Sequence, residues 1–208
     1  MMVLAIDTCG TSGSLALGRV APDTADVLAQ AELAGKTYSA QIVPVLRTML
    51  SEQGIETTDL NAIVVVNGPG SFTGIRIGVS SAKGLAEALG IPLLAVSRLA
   101  VLAWKAESSR AALDAGRGEF YFRTGDHEYL LGAKDLLLTS TEAVAVCEAS
   151  AQRVFADASF VQPPTADDAL RYAAPGLLAH NFADTETLDA NYVRRSDAEI
   201  FAKAAGKV

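Results

Sequence analysis

Two aspartates stand where a chain could do chemistry. Asp7 closes the apolar run Met2-Val3-Leu4-Ala5-Ile6, and Asp114 closes Ala111-Ala112-Leu113. A carboxylate at the end of a buried strand can hold a metal-bound phosphate or act as a base. It can equally be a turn former that satisfies backbone amides. The loop after Asp7, with Thr8, Thr11 and Ser12, suits phosphate contact and a tight hairpin alike. A second candidate is Asn67-Gly68-Pro69-Gly70-Ser71-Phe72-Thr73-Gly74, a glycine-rich turn from an apolar run into a helical pattern. Such a turn leaves amide hydrogens facing outward, where they can hold an anion. It is not a P-loop. Gly35-Lys36-Thr37 has the terminal tripeptide, but Gln30 occupies the position of the partner glycine. The spacing Gly68, Gly70, Gly74 is one residue longer than the dinucleotide fingerprint, and a plain strand-to-helix connection also explains it.

The helix after this turn carries a second signal. Gly74, Gly78, Ala82 and Ala86 recur every four residues and form a ridge of small side chains. Glycine inside a helix costs about 1 kcal/mol relative to alanine, so close backbone approach by a neighbour would be the physical return. That neighbour is either the chain's own first helix or a helix of a second subunit. Metal and nucleophile chemistry has little to work with. The two histidines, His127 and His180, have no ligand spacing, and no Cys-x-x-Cys, His-Glu-x-x-His or nucleophile-elbow pattern occurs. Asn191-Tyr192-Val193-Arg194-Arg195 is a small basic cluster that reads as a solvated strand end.

The elements that would position these residues follow from hydrophobic period. Met2–Ile6, Gly13–Val20 and Asp26–Leu33 read as three sequential strands, an antiparallel meander. From Ser39 to Gln53 the apolar residues Ile42, Val43, Val45, Leu46, Met49 and Leu50 fall three and four apart, one face of a helix with Pro44 in an early turn. Asn61–Asn67 is a continuous apolar strand, central and covered on both faces. A second helix covers roughly Gly74–Leu89, and Leu93–Val96 is another strand. The later half reads as a shorter version of the same plan. Strands are expected at 111–116, 119–123 and 129–131, with helices near Thr141–Ser150 and Ala166–His180 around a short strand at Val154–Ala156. The chain is thus expected to be α/β, two tandem βββαβα lobes with the second abridged, divided into 1–105 and 106–208.

Composition narrows the function classes. The chain has 208 residues, half of them apolar, which is ample for a compact core. A formal charge of −7, from 24 acids and 17 bases, argues against strong unaided binding to a phosphate backbone. Cys9 and Cys147 form no disulfide framework and fit a reduced, cytoplasmic setting. The first residues lack the pattern of a signal peptide, and the greasiest stretch, Leu85–Trp104, is interrupted by Glu87, Pro92 and Arg98, so no membrane association is expected.

Taken in order, Leu4-Ala5-Ile6-Asp7-Thr8, the stretch from Asn67 to Gly78, Ala82-Lys83-Gly84-Leu85-Ala86, Leu113-Asp114-Ala115, Gly118-Glu119-Phe120-Tyr121 and Tyr192-Val193-Arg194-Arg195-Ser196-Asp197-Ala198-Glu199 resemble the bacterial TsaB (YeaZ) family. The resemblance covers almost the whole chain, and the Gly68–Ala86 stretch is its most specific part. It implies an actin-like, sugar-kinase-like fold of two lobes. It also implies a role in forming N6-threonylcarbamoyladenosine in tRNA, in which a sister subunit, TsaD, performs the transfer. The TsaB-like chain is then a non-catalytic platform that pairs with TsaD, recruits the ATPase TsaE, meets tRNA only through the complex, and forms a homodimer when alone.

The resemblance places Ile42, Leu46, Phe72, Gly74, Arg76, Gly78, Ala82 and Lys83 in the pairing helices. At the positions of the His-x-x-x-His metal pair of TsaD stand Arg98 and Leu102, which cannot hold a divalent metal. Asp7, Thr8, Ser12 and Asp114 then read as the remnant of a nucleotide cleft, with no required cofactor, no metal and at most weak nucleotide binding. The chain departs from the family at Tyr38, Arg98 and Gly116, where a His, a smaller polar residue and an Arg are usual. Two rival readings are a dinucleotide-binding (NADP) enzyme, with Arg98 on the 2′-phosphate, and a peptidase-like protein. The first is opposed by the meander that precedes the glycine turn, and the second lacks a metal set or nucleophile.

Overall fold

Apolar alternation at the start of the chain produces a sheet whose middle is sealed. The computed structural model describes residues 1–34, 37–132, 143–155 and 157–193. Met2–Asp7 (β1), Gly13–Ala21 (β2) and Thr24–Leu33 (β3) form the expected antiparallel meander, with Leu4 opposite Leu17 and Ile6 opposite Leu15. Leu60–Val66 (β4) and Leu93–Val96 (β5) add in parallel, giving the order β3-β2-β1-β4-β5. Val3 to Ile6 and Ala62 to Val65 are wholly buried, as their unbroken apolar runs require of strands covered on both faces.

Helices cover this sheet. Tyr38–Glu52 (α1) buries Tyr38, Ile42, Leu46, Met49 and Leu50, and Phe72–Leu89 (α2) buries Gly74, Ile75, Gly78, Val79, Ala82 and Ala86. Pro44 lies inside α1 and cannot donate to the Ala40 carbonyl, but both positions face solvent, where water can serve that oxygen. Ser71 caps α2 by accepting from the Gly74 amide, and Gly90 ends it in the left-handed conformation, φ 65°. Arg98–Lys105 (α3) follows β5, an extra helix that the sequence pattern does not announce.

Arg110–Gly116 (β6), Glu119–Thr124 (β7), His127–Gly132 (β8), Val144–Val146 (β9) and Ala158–Phe160 (β10) form a second sheet in the order β10-β9-β6-β7-β8. Read from the other edge, that is the first sheet's order again, so the duplicated plan is present in both units. Ala149–Val154 (α4) is six residues long where α2 has eighteen, the abridgement expected of the later half. Phe120, Phe122 and Phe155 supply the ring contacts of this smaller core.

Two details of the later half differ from the expected pattern. The helix expected near Thr141–Ser150 is replaced by β9 and then α4, and the strand expected at Val154–Ala156 gives way to β10. Val144, Ala145 and Val146 are all buried and paired beside Ala111 and Ala112. A run that short carries no period, and only its pairing decides its state. The 141–142 and Ala156 ends of these expectations, Gly35 and Lys36 of the tripeptide, and Arg194 to Glu199 lie outside the described residues.

The units are also not a simple tandem. One comprises Met1–Val101 with Pro164–Asn191, and the other Leu102–Pro163 with Tyr192–Val208. The expected division at 105/106 lies close to the first crossing, but the chain then returns. Ala166–Leu178 (α5) packs on the first sheet, with Ala166, Ala169, Leu170, Ala173 and Leu177 in its core. A side chain at Gly18 would meet Leu170 Cδ1 at 2.8 Å, so the glycine makes room for the helix.

Candidate functional site

Asp7, at the end of β1, is 3% exposed and accepts a hydrogen bond from the Cys9 amide at 2.8 Å. Burial pushes its carboxyl above the usual range, and the neighbouring Arg98 guanidinium and the Cys9 amide oppose that shift. Asp168 of α5 adds a smaller upward push. Arg98 is itself 6% exposed, and its Nε is buried with no hydrogen-bond partner. The Cys9 thiol lies against the Val66 carbonyl at 3.2 Å, and burial raises it well above an ordinary thiol, which makes it a poor nucleophile. Thr8 is wholly buried and donates its hydroxyl to the Gly74 carbonyl at 2.7 Å. Ser12 stands exposed on the same loop.

The glycine turn is filled by the chain itself. A Cβ on Gly70 would overlap the Cys9 carbonyl, and one on Gly74 the Thr8 carbonyl. The Ser71 amide donates to the Cys9 oxygen at 2.9 Å, so the turn binds the Asp7 loop. The small ridge continues the same contact. A Cβ on Gly78 would overlap the Thr8 hydroxyl, and Ala82 and Ala86 are buried. At Gly74 and Gly78 the close neighbour is Thr8, just past the end of β1. Ile42 and Leu46 likewise lie in the core, at 1% and 3% exposure. Of the residues expected at a partner interface, Ile42, Leu46, Gly74, Gly78 and Ala82 are thus buried within the chain's own first unit.

Phe72 and Arg76 behave differently. Phe72 is 54% exposed on the first turn of α2, and the Arg76 guanidinium carbon sits 3.9 Å from its ring centroid. Val43 on α1 is 41% exposed, and α1 packs beside α2. The sequence pattern places Val43 on the apolar face of α1, whereas the structure exposes it. Lys83 reaches the carbonyls of Leu188 at 3.1 Å and Glu186 at 3.5 Å, so it secures a later segment of its own unit.

That segment left no mark in the sequence pattern. After α5 the chain crosses back over the first unit, with Ala183 donating to Leu93 O at 2.8 Å and Asn191 to Asn67 O at 2.7 Å. These are backbone bonds, which hydropathy does not report. In the second unit Asp114 is exposed, accepts from the Gly116 amide at 2.6 Å, and forms a local turn. Gly116 has φ 79°, which explains a glycine there in place of an arginine. Asp7 and Asp114 lie in different units, and each is satisfied by its own turn. Among the described residues no group of three or more His, Cys, Asp or Glu could hold a metal ion, and no helix is long and apolar enough to cross a membrane.

Comparison with known proteins bears on this arrangement. Residues 27–183 match the family model of TsaD, tRNA N6-adenosine threonylcarbamoyltransferase. The chain is 38% identical over 128 residues to the tRNA threonylcarbamoyladenosine biosynthesis protein TsaB of Escherichia coli, covering 59% of this chain and 54% of that one. It is 38% identical over 136 residues to TsaB of Bacillus subtilis, covering 64% and 57%. The aligned parts thus span about half the length of those relatives. The solved structure of YeaZ from Pseudomonas aeruginosa superposes with a TM-score of 0.77 at 26% identity, over 92% of this chain and 99% of that one. The matched model covers three quarters of the sequence (residues 27–183), and this chain belongs to the TsaD family.

Proposed function

We propose that the chain is a non-catalytic subunit in the formation of N6-threonylcarbamoyladenosine in tRNA, and that it pairs with a TsaD-like subunit through the outer face of α1 and α2. The observation that carries this reading is the Phe72–Arg76 pair, an exposed aromatic ring under a guanidinium, beside the exposed Val43. Aromatic and Arg side chains on an otherwise small-residue surface are the residue types that dominate binding energy at interfaces. Around them Ser80 and Gly84 are exposed and add little bulk, so an opposing helix could approach closely. The same face serves a second copy of this chain when no TsaD-like partner is present. The relatives' names supply the pathway, as tRNA threonylcarbamoyladenosine biosynthesis proteins.

In this reading the partner supplies the transfer chemistry, a TsaE-like ATPase joins the pair, and tRNA is met only through the complex, in keeping with the net charge of −7. No cofactor is required of this chain, and its setting is cytoplasmic. Light scattering after size exclusion tests the pairing directly. The chain mixed with the TsaD-like subunit of its own organism should elute as a complex. Phe72→Ala with Arg76→Glu should abolish that complex while leaving the melting temperature unchanged. A double variant that still pairs at wild-type affinity would place the interface elsewhere.

A further inference from the structure

We propose that Arg76 selects the pairing partner by gripping a carboxylate on the TsaD-like subunit, and that Phe72 positions the guanidinium for that grip. The inference rests on the pairing role proposed above and adds the chemistry of the opposing side chain. Phe72 and Arg76 face each other at i and i+4 on α2, and both are exposed. The Arg76 guanidinium carbon lies over the Phe72 ring, 3.9 Å from its centroid, well inside the roughly 6 Å reach of a cation–π contact. A contact over the ring engages the flat face of the cation. The N–H donors lie in the plane of the head, in the fork that matches a carboxylate.

An exposed arginine loses rotamer freedom when a partner fixes it, and that loss weakens binding. The Phe72 ring restricts the guanidinium before any partner arrives, so less freedom is left to lose. Phe72 therefore acts on pairing through Arg76, as a positioning residue. The helix itself has no use for the charge. The macrodipole disfavours a cation near a helix N-terminus, and Arg76 stands in the second turn of α2.

The sign of charge on this face points to the chemistry that meets it. The chain carries −7 overall, yet α1 and α2 together hold three bases, Arg47, Arg76 and Lys83, against two acids, Glu52 and Glu87. Both acids stand near the C-terminal ends of their helices, and neither helix has an acid in its first turn. Lys83 reaches the Leu188 and Glu186 carbonyls, which leaves Arg47 and Arg76 as the exposed cations of the two helices. A locally positive face on an acidic chain complements an acidic surface. The exposed Phe72 and Val43 suit a protein surface better than a polyphosphate. An isologous contact would present the same net-positive face twice, so charge favours the mixed pair over the homodimer.

Isothermal titration of the full chain with the nuclease-treated TsaD-like subunit of its own organism, from about 50 to about 500 mM sodium chloride, tests this. Wild-type affinity should fall several-fold as salt rises. Arg76→Met should bind at least about tenfold more weakly at low salt, with a flatter salt dependence. Arg76→Lys keeps the charge without the planar fork, so it should bind more weakly than wild type and retain the salt slope. Phe72→Leu keeps an apolar side chain but removes the ring. It should weaken pairing several-fold alone and add nothing to Arg76→Met, because a residue that acts through another has no effect once that other is gone. Phe72→Tyr, which keeps the ring, should pair as wild type does. Pairing indifferent to salt, Arg76→Lys equal to wild type, or an equal effect of Phe72→Leu in both backgrounds would each overturn the proposal and leave the pairing role standing. Full pairing by Phe72→Ala with Arg76→Glu would remove the role and the proposal together. A homodimer tighter than the mixed pair at low salt would assign the face to a second copy and overturn the selection.

Discussion

The Thr8 hydroxyl donates to the Gly74 carbonyl at 2.7 Å, so the end of β1 and the first turn of α2 share one buried hydrogen bond. One turn further along α2, Gly78 faces the same hydroxyl, with no room for a methyl. At Gly74 and Gly78, the repeat of small residues that reads from sequence as a docking ridge thus seats Thr8, just past the end of β1. Glycine at 74 and 78 lowers helix propensity, and in return the strand-end loop can lie directly on the helix.

Gly78→Ala should accordingly destabilise the fold by about 1–3 kcal/mol, the usual cost of forcing a methyl into a packed contact. Gly84 provides the control, because it lies on the same helix, is exposed, and has nothing within 4 Å of a built Cβ. Gly84→Ala should stabilise by about 0.5–1 kcal/mol. Urea unfolding of the two variants measures both signs. Equal effects would mean that Gly78 is not confined by Thr8.

The core and the proposed face can be told apart in the same way. Leu46 is 3% exposed and Phe72 is 54% exposed, yet both lie on the two helices that the family resemblance assigns to pairing. Leu46→Ala should cost about 2–5 kcal/mol of folding stability, as cavity-forming changes do. Phe72→Ala should move stability by no more than about 0.5 kcal/mol and act on complex formation instead. Denaturant midpoints read beside light scattering separate the two effects. A large stability loss in Phe72→Ala would argue against the face.

What the sequence discloses here depends on length and period. β1, β2, β4 and both long helices are legible because Leu4, Ile6, Leu15 and Leu17 alternate and Ile42, Leu46, Met49 and Leu50 recur at helical spacing. Val144–Val146 is too short to show a period, and α3 is hidden because Leu99 to Ala103 is buried all round and presents no polar face. The glycine turn is visible as a motif, but its occupant is not. Whether Gly70 and Gly74 face a ligand, a partner or their own chain depends on where Thr8 and Cys9 lie, and spacing does not encode that. Arg98 is conspicuous in the sequence as a departure, whereas its burial beside Asp7 is a tertiary fact.

Asp7 makes stability depend on pH in a defined direction. Burial raises its folded-state value above the ordinary 3.8, so the native state holds its proton more tightly than the unfolded chain does. The contribution is fully present below pH 3.8 and is lost as pH rises through the raised folded value. Asp7→Asn keeps an oxygen for the Cys9 amide and cannot ionise. The stability of wild type minus that of Asp7→Asn should therefore fall as pH increases across this window, and at neutral pH the variant should be the more stable. Denaturant unfolding from pH 3 to pH 8 (~ half-unit steps, enough to resolve a single titration) measures the difference. A difference that rises with pH would show that Arg98 outweighs burial.

Lys83 ties the returning segment to α2, through Leu188 O at 3.1 Å and Glu186 O at 3.5 Å. The segment is also held by Ala183 on Leu93 and Asn191 on Asn67, and by Phe182, Leu188 and Ala190 packed against the core. Lys83→Met keeps the apolar stem and removes only the ammonium, so the change isolates the polar tie. Loss of hydrogen bonds from a charged donor should cost about 1 kcal/mol, concentrated in local opening of the segment rather than in the sheet. Amide exchange should therefore speed up several-fold at Leu188 and Asn191, while Val64 and Val65 in β4 stay protected to the global limit. Pairing with the TsaD-like subunit should survive, because the lysine faces its own chain. Loss of pairing with unchanged exchange would return Lys83 to the interface at which the family resemblance placed it.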